Sequence, residues 1–125
     1  MMNKRQIGSI CEEKVCRKLV EDGFTVIARN FSVGRFPEID IIAQKDGVLH
    51  FIEVKARSGD LFGAPVEAVS AAKIAKIRRA SVIFMLNTNR YDSEPELVYD
   101  VAEVFFKIQE EAVDVLRINF LFSAF

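Results

Sequence analysis

Glu38 to Arg57 reads EIDIIAQKDGVLHFIEVKAR. Two apolar runs flank Asp46-Gly47, and Asp-Gly between such runs is a strong sign of a β-hairpin, because a type I′ turn needs φ > 0 at both central residues. With Asp46 and Gly47 as the turn, Lys45 pairs with Val48. Continuing that register sets Asp40 opposite Glu53 and Glu38 opposite Lys55. Side chains alternate with a period of two, so these four residues share one face. Directly opposed residues hold their Cβ atoms about 4.5–5.5 Å apart. Two carboxylates so placed among Ile39, Ile41, Phe51, Ile52 and Val54 repel one another and lose water, and both cannot stay ionised cheaply. A divalent cation relieves the conflict, and hard carboxylate oxygens with water completing the shell suit Mg²⁺ or Mn²⁺. Lys55 lies two residues past Glu53 on the same face, where an ammonium can orient a water or balance charge on a phosphate undergoing transfer. The plainer reading is a solvated hairpin with a Glu38–Lys55 cross-strand pair. For this hairpin in isolation the plainer reading wins.

Upstream, Asn3 to Asp22 reads as a helix capped by Asn3 and stopped by Gly23. At 100° per residue Glu12 falls about 140° round from Ile7, between Leu19 at about 120° and Cys16 at about 180°, and so inside the apolar stripe. Buried carboxylates are rare unless paired or bound to metal. The alternative is a glutamate at the stripe's edge that reaches water or a basic partner. With a helical glutamate upstream, the hairpin becomes one part of a larger set: Glu12, Asp40, Glu53 and Lys55.

The remaining elements are strands at Phe24 to Arg29, Glu38 to Gln44, Val48 to Ala56, Glu96 to Lys107 and Ala112 to Phe122. A second helix runs from a Ser70 cap to about Leu86, and loops cover Ser32 to Pro37, Ser58 to Pro65 and Asn87 to Pro95. The order αβββαββ implies one mixed sheet with helices packed on it. A length of 125 residues, half of them hydrophobic, fits one domain, 1–125. No run approaches a membrane span and the start does not read as a signal peptide, so the expected setting is the cytoplasm with no membrane partner. Cys11 and Cys16 sit on different helix faces without nearby histidines, which fits reduced core thiols better than zinc. His50 is given no catalytic role. The formal net charge is −1, yet residues 1–90 carry 15 basic against 10 acidic side chains and the remainder 2 against 8. Such asymmetry leaves room for a basic face toward a polyanion.

The pattern Asp40…Glu53-Val54-Lys55 resembles the signature of the restriction-endonuclease-like, or PD-(D/E)xK, superfamily. More closely the chain resembles the small bacterial YraN-type proteins, which are similar to Holliday-junction resolvases. The matching pieces are Gly8-x-x-Cys11-Glu12, Leu19…Asp22-Gly23-Phe24, Ala28-Arg29-Asn30-Phe31, Glu38 to Ala43, Phe51 to Arg57, Phe62-Gly63-x-Pro65-x-Glu67-Ala68-Val69 and Lys73. The chain departs from the pattern at Cys11, Val98 and Phe120, where the family usually has glycine, arginine and histidine. The resemblance implies an αβββαβ core with a central mixed sheet flanked by helices, metal held by Glu12, Asp40 and Glu53, and Lys55 assisting catalysis.

The expected function is therefore metal-dependent hydrolysis of DNA phosphodiesters, on branched or otherwise distorted DNA, with binding through the backbone. Arg35, Arg57, Lys73 and Lys76 are the candidate phosphate contacts. The alternative is a non-catalytic nucleic-acid-binding or adaptor domain that keeps the fold. Phe105, Phe106, Phe120, Phe122 and Phe125 either fill the core or form a homodimer surface, and burial is the commoner fate of such rings.

Overall fold

The computed structural model describes residues 2–59, 69–90 and 93–125. Most of the expected loop Ser58 to Pro65, the motif residues Phe62 to Ala68, and Tyr91 and Asp92 of the later loop lie outside the described residues. Among the described residues seven elements follow in order: α1 (Lys4–Glu21), β1 (Thr25–Ser32), β2 (Pro37–Lys45), β3 (Val48–Ser58), α2 (Ala71–Asn87), β4 (Glu96–Gln109) and β5 (Ala112–Leu121). The strands form one mixed sheet in the order β1-β2-β3-β4-β5, with β3 parallel to β4 and every other pair antiparallel. The parallel pair follows from the connection, since a chain that leaves β3 and runs through α2 re-enters the sheet in the same direction.

Local chemistry sets these boundaries. Asn3 accepts a hydrogen bond from the Gln6 N–H at 2.8 Å while the Gln6 side chain accepts from the Asn3 N–H at 2.9 Å, a reciprocal cap on α1. Ser70 caps α2 by accepting from the Lys73 N–H at 3.1 Å. Asp46 and Gly47 take φ of 51° and 77°, as a type I′ turn demands, and Lys45 pairs with Val48. At the β4–β5 turn Glu110 and Glu111 take φ of 51° and 62°, a conformation side-chain-bearing residues adopt at a cost.

The helices build two apolar layers. Cys11, Val15, Cys16 and Leu19 of α1 pack with Ile41, Ala43, Ile52, Ala102, Val104 and Phe106. Ile77, Ala80, Phe84 and Met85 of α2 pack with Ile39, Ile42, Leu49, Phe51 and Tyr99. Fully burying one such side chain contributes about 1.5–3 kcal/mol. Cys11 and Cys16 are free thiols inside the first layer, as their spacing requires. Phe105 and Phe106 are buried, Phe120 packs against the α1 layer, Phe125 rests on Tyr99, and Phe122 is exposed. The C-terminal rings therefore serve mainly as core. No helix among the described residues is long and apolar enough to cross a membrane.

The simple alternation breaks at one level of the sheet. Ile41 and Ala43 face α1, but Ile39 joins the α2 layer. In β1, Phe31 also joins the α2 layer, while Arg29 reaches toward α1. Arg29 pairs with Ile41 and Phe31 with Ile39, so Asn30 and Asp40 fall between those pairs at one level. Asn30 has a left-handed φ of 52° there. The kink across β1 and β2 is what positions the site.

Candidate functional site

The β2–β3 ladder runs from Lys45–Val48 to Ile41–Ile52, in the register that the turn dictates, and ends there. It stops one pair short of the expected Asp40–Glu53 pair. The Asp40 carboxylate, through Oδ2, instead accepts the Val54 N–H at 2.8 Å. Beyond this point β2 stays with β1, where Phe31 pairs with Ile39 and Ser32 with Pro37. The expected Glu38–Lys55 facing pair is therefore not part of the ladder, and Glu38 Oε2 is buried without a hydrogen bond. The strands fork, and the fork opens between Asp40 and Glu53.

Glu53 is 8% exposed and lies on β3 between Ile52 and Val54 of the α1 layer, so its side chain emerges on the α2 side. There the Lys73 ammonium of α2 stands 3.8 Å from Glu53 Oε2, an ion-pair distance too long for a hydrogen bond. Oε2 is left buried and without a donor. Burial, and then the charge of Asp40, push the Glu53 carboxyl from its ordinary 4.5 up to about 7, against the opposing pull of Lys73 and Lys55. Burial likewise raises Asp40, opposed by the Val54 N–H, by Lys73 and Lys55, and by the side chain of Glu53, which in its protonated form can donate to Asp40. The two acids thus share a place where both cannot be charged cheaply.

Glu12 arrives from α1 with its side chain 16% exposed. Burial first, then the Asp40 charge, raise its carboxyl, while a hydrogen bond from Asn30 and the Arg29 cation lower it. Its charge also reaches Glu53. The wheel placed Glu12 correctly inside the apolar stripe, and the structure supplies both an acidic neighbour and a basic partner. Among the described residues, however, no three His, Cys, Asp or Glu side chains are gathered closely enough, as they stand, to enclose an ion. The close pair is Asp40 with Glu53, and Glu12 stands behind it on Arg29.

The other expected residues fall at different distances from this pair. Lys55 acts electrostatically on both acids, and so does Lys73, which sequence reasoning took for a phosphate contact. Arg57 is drawn into a hydrogen bond from Nε to Glu103 Oε2 at 2.9 Å, and Asn119 donates to the other Glu103 oxygen at 3.1 Å. Arg35 is exposed on the loop 33–36 that leads into β2, and Lys76 is exposed on α2. Sequence reasoning missed Arg29 and Asn30 as partners of Glu12. A polar pair ending an apolar strand, with asparagine tolerant of a left-handed backbone, was the available signal. It also gave His50 no role. His50 Nδ1 lies 2.6 Å from Oδ2 of the fully buried Asp100, whose Oδ1 accepts the Ser123 N–H at 2.8 Å.

These residues fit a hard divalent cation on the chemistry of the donors. Asp40 and Glu53 offer oxygen, one of those oxygens is buried with no hydrogen bond, and a third carboxylate is near enough to feel their charge.

Fold and site together define a small α/β protein in which a forked hairpin presents a buried glutamate, a half-buried aspartate and a lysine, with a helical glutamate behind them. The chain belongs to the family described as Uncharacterised protein family UPF0102, whose model matches residues 11–118. It is similar to a UPF0102 protein of Dictyoglomus turgidum, 37% identical over 99% of this chain and 100% of that one. Similar matches are the UPF0102 proteins of Acetivibrio thermocellus (35% identical, 98% and 93%) and Syntrophomonas wolfei subsp. wolfei (31%, 97% and 98%).

Proposed function

We propose that this protein is a metal-dependent DNA endonuclease of the PD-(D/E)xK kind, acting on branched or distorted DNA. The observation that carries the reading is Glu53 Oε2, buried beside Asp40 at the fork with no hydrogen bond and with Lys55 and Lys73 close enough to act on both acids. A purely structural acid in that place would be satisfied or absent. Asp40 and Glu53, joined by Glu12, would hold Mg²⁺ or Mn²⁺, which supplies Lewis acidity to a phosphate oxygen and lowers the pKa of water. Lys55 orients the attacking water and balances charge as the P–O bond breaks and the leaving oxygen gains a proton. Lys73 favours the charged form of Glu53 against the burial that raises its pKa, and the Val54 N–H keeps Asp40 aimed at the fork. Arg35 and Lys76 contact DNA phosphates without reading bases, whereas Arg57, buried against Glu103 with an enclosed outer nitrogen, is withdrawn from that role.

The test is cleavage of single-stranded, duplex and branched DNA by the purified chain with Mg²⁺, Mn²⁺ or EDTA. Metal-dependent cutting that Asp40→Asn and Lys55→Ala both abolish supports the reading. A second reading, an adaptor that binds DNA without cutting it, draws on the absence of three gathered ligands among the described residues. DNA binding with no cleavage under any metal would favour it.

A further inference from the structure

Glu12 and Glu13 are adjacent on α1, so their side chains leave the helix about 100° apart. One guanidinium spans them. Arg29 donates from Nη1 to Glu13 Oε2 at 2.8 Å, and its Nη2 stands 3.8 Å from Glu12 Oε1. Glu13 is itself fixed by Arg17, whose Nε donates to Oε1 at 3.3 Å. The short contact therefore anchors Arg29 to Glu13, and the longer one steers Glu12 without saturating its oxygens. Arginine suits this task because its donors form a rigid planar fork, which a single ammonium lacks. The next residue, Asn30, has a left-handed φ of 52°, and its side chain favours the charged form of the Glu12 carboxyl. Asn30 lies at the level of Asp40 in the kinked β1–β2 pair, between the Arg29–Ile41 and Phe31–Ile39 pairs. The kink thus delivers an amide to Glu12 and a carboxylate to the fork at the same height.

We propose that Arg29 and Asn30 are positioning residues that fix Glu12 in the orientation from which it joins Asp40 and Glu53. The inference rests on the metal-centre reading of the fork. Lys55 and Lys73 act on Asp40 and Glu53, while Glu12, on the α1 side, depends on the Arg29–Asn30 pair. Without them a three-bond side chain must be ordered by the ligand itself, and that entropy is lost on binding.

The experiment titrates Mn²⁺ into the full chain and follows the free-ion electron paramagnetic resonance signal, a readout independent of cleavage. Wild type is compared with Arg29→Ala, Arg29→Lys and Asn30→Gly, the last of which keeps the left-handed backbone while removing the amide. Arg29→Ala and Asn30→Gly should each weaken Mn²⁺ binding by roughly 10- to 100-fold, the usual effect of losing a group that orients a metal ligand. Arg29→Lys should recover part of the loss. Melting in EDTA should stay within about 3 °C of wild type for each, because partly exposed ion pairs contribute little. Should Arg29→Ala lose its fold, Asn30→Gly alone decides. If Arg29→Ala and Asn30→Gly bind Mn²⁺ as tightly as wild type or tighter, the pair merely ties α1 to β1 and the inference is wrong. If wild type itself leaves the Mn²⁺ signal unchanged, the metal centre and this inference fall together.

Discussion

Two buried acids stand on neighbouring strands of the same sheet and are treated in opposite ways. Asp100 of β4 is fully buried, yet each of its oxygens has a partner, His50 at 2.6 Å and the Ser123 N–H at 2.8 Å. Glu53 of β3 is 8% exposed and keeps one oxygen with no hydrogen bond, a carboxylate beside it and a lysine at 3.8 Å. Asp100 ties the end of the chain to the hairpin, and Phe24 and Phe122 pack edge-on against the His50 ring above it. Glu103 follows the same rule as Asp100, with Arg57 and Asn119 on its two oxygens. A buried charge with all its partners in place stabilises the fold. A buried acid left partly unmet beside a like charge carries a cost, which the proposed cation would relieve.

The largest effect should come from the satisfied acid. Asp100→Ala removes two hydrogen bonds to a buried charged group and leaves His50 without its partner, so stability should fall by about 3 kcal/mol. Mn²⁺ should raise the melting temperature of that variant as much as that of wild type. A drop in urea unfolding free energy well under 1 kcal/mol would erase the distinction drawn between the two acids.

The next effect belongs to Glu53 and depends on pH. Its folded carboxyl is raised from 4.5 to about 7, so between those values the folded state keeps a proton that the unfolded state has lost. Stability in EDTA is therefore full below about pH 4.5, falls as pH rises toward 7 and levels off above, by an amount on the order of 2 kcal/mol. Asp40 and Glu12, both raised, add in the same direction. Glu53→Gln should flatten most of the slope, and an equally steep slope in that variant would place its origin elsewhere.

Much of this was legible in the sequence where the signal was local. Asp46-Gly47 set the turn and the register, and that register carried Glu53 and Lys55 onto one face. Asn3 and Ser70 announced their caps, and the helical angles put Glu12 in the stripe. What was not legible depended on chain crossing chain. The ladder ends before Asp40 because β1 holds the start of β2, and a period-two pattern cannot report where a partner strand is lost. Arg29 and Asn30 sit 16 or more residues from Glu12 and Glu13, and His50 is 50 residues from Asp100, distances that only the closed sheet brings together. Lys73 read as a phosphate contact until α2 was laid over β3 and brought it to Glu53.

The smallest effect tests the central claim most directly: thermal melts of wild type and Asp40→Asn at pH 8, each in EDTA and in Mn²⁺ at about ten times Kd. A cation that binds the folded state alone should raise wild-type stability by about 1.4 kcal/mol. The gain should shrink below about pH 7, where Glu53 takes up a proton. Asp40→Asn should lose the Mn²⁺ gain altogether. In EDTA it should melt at or slightly above wild type, because the amide oxygen can still accept the Val54 N–H while the repulsion with Glu53 is gone. If wild type shows no Mn²⁺ shift and Asp40→Asn melts well below it in EDTA, Asp40 is an ordinary structural acid like Asp100, and the fork is not a metal centre.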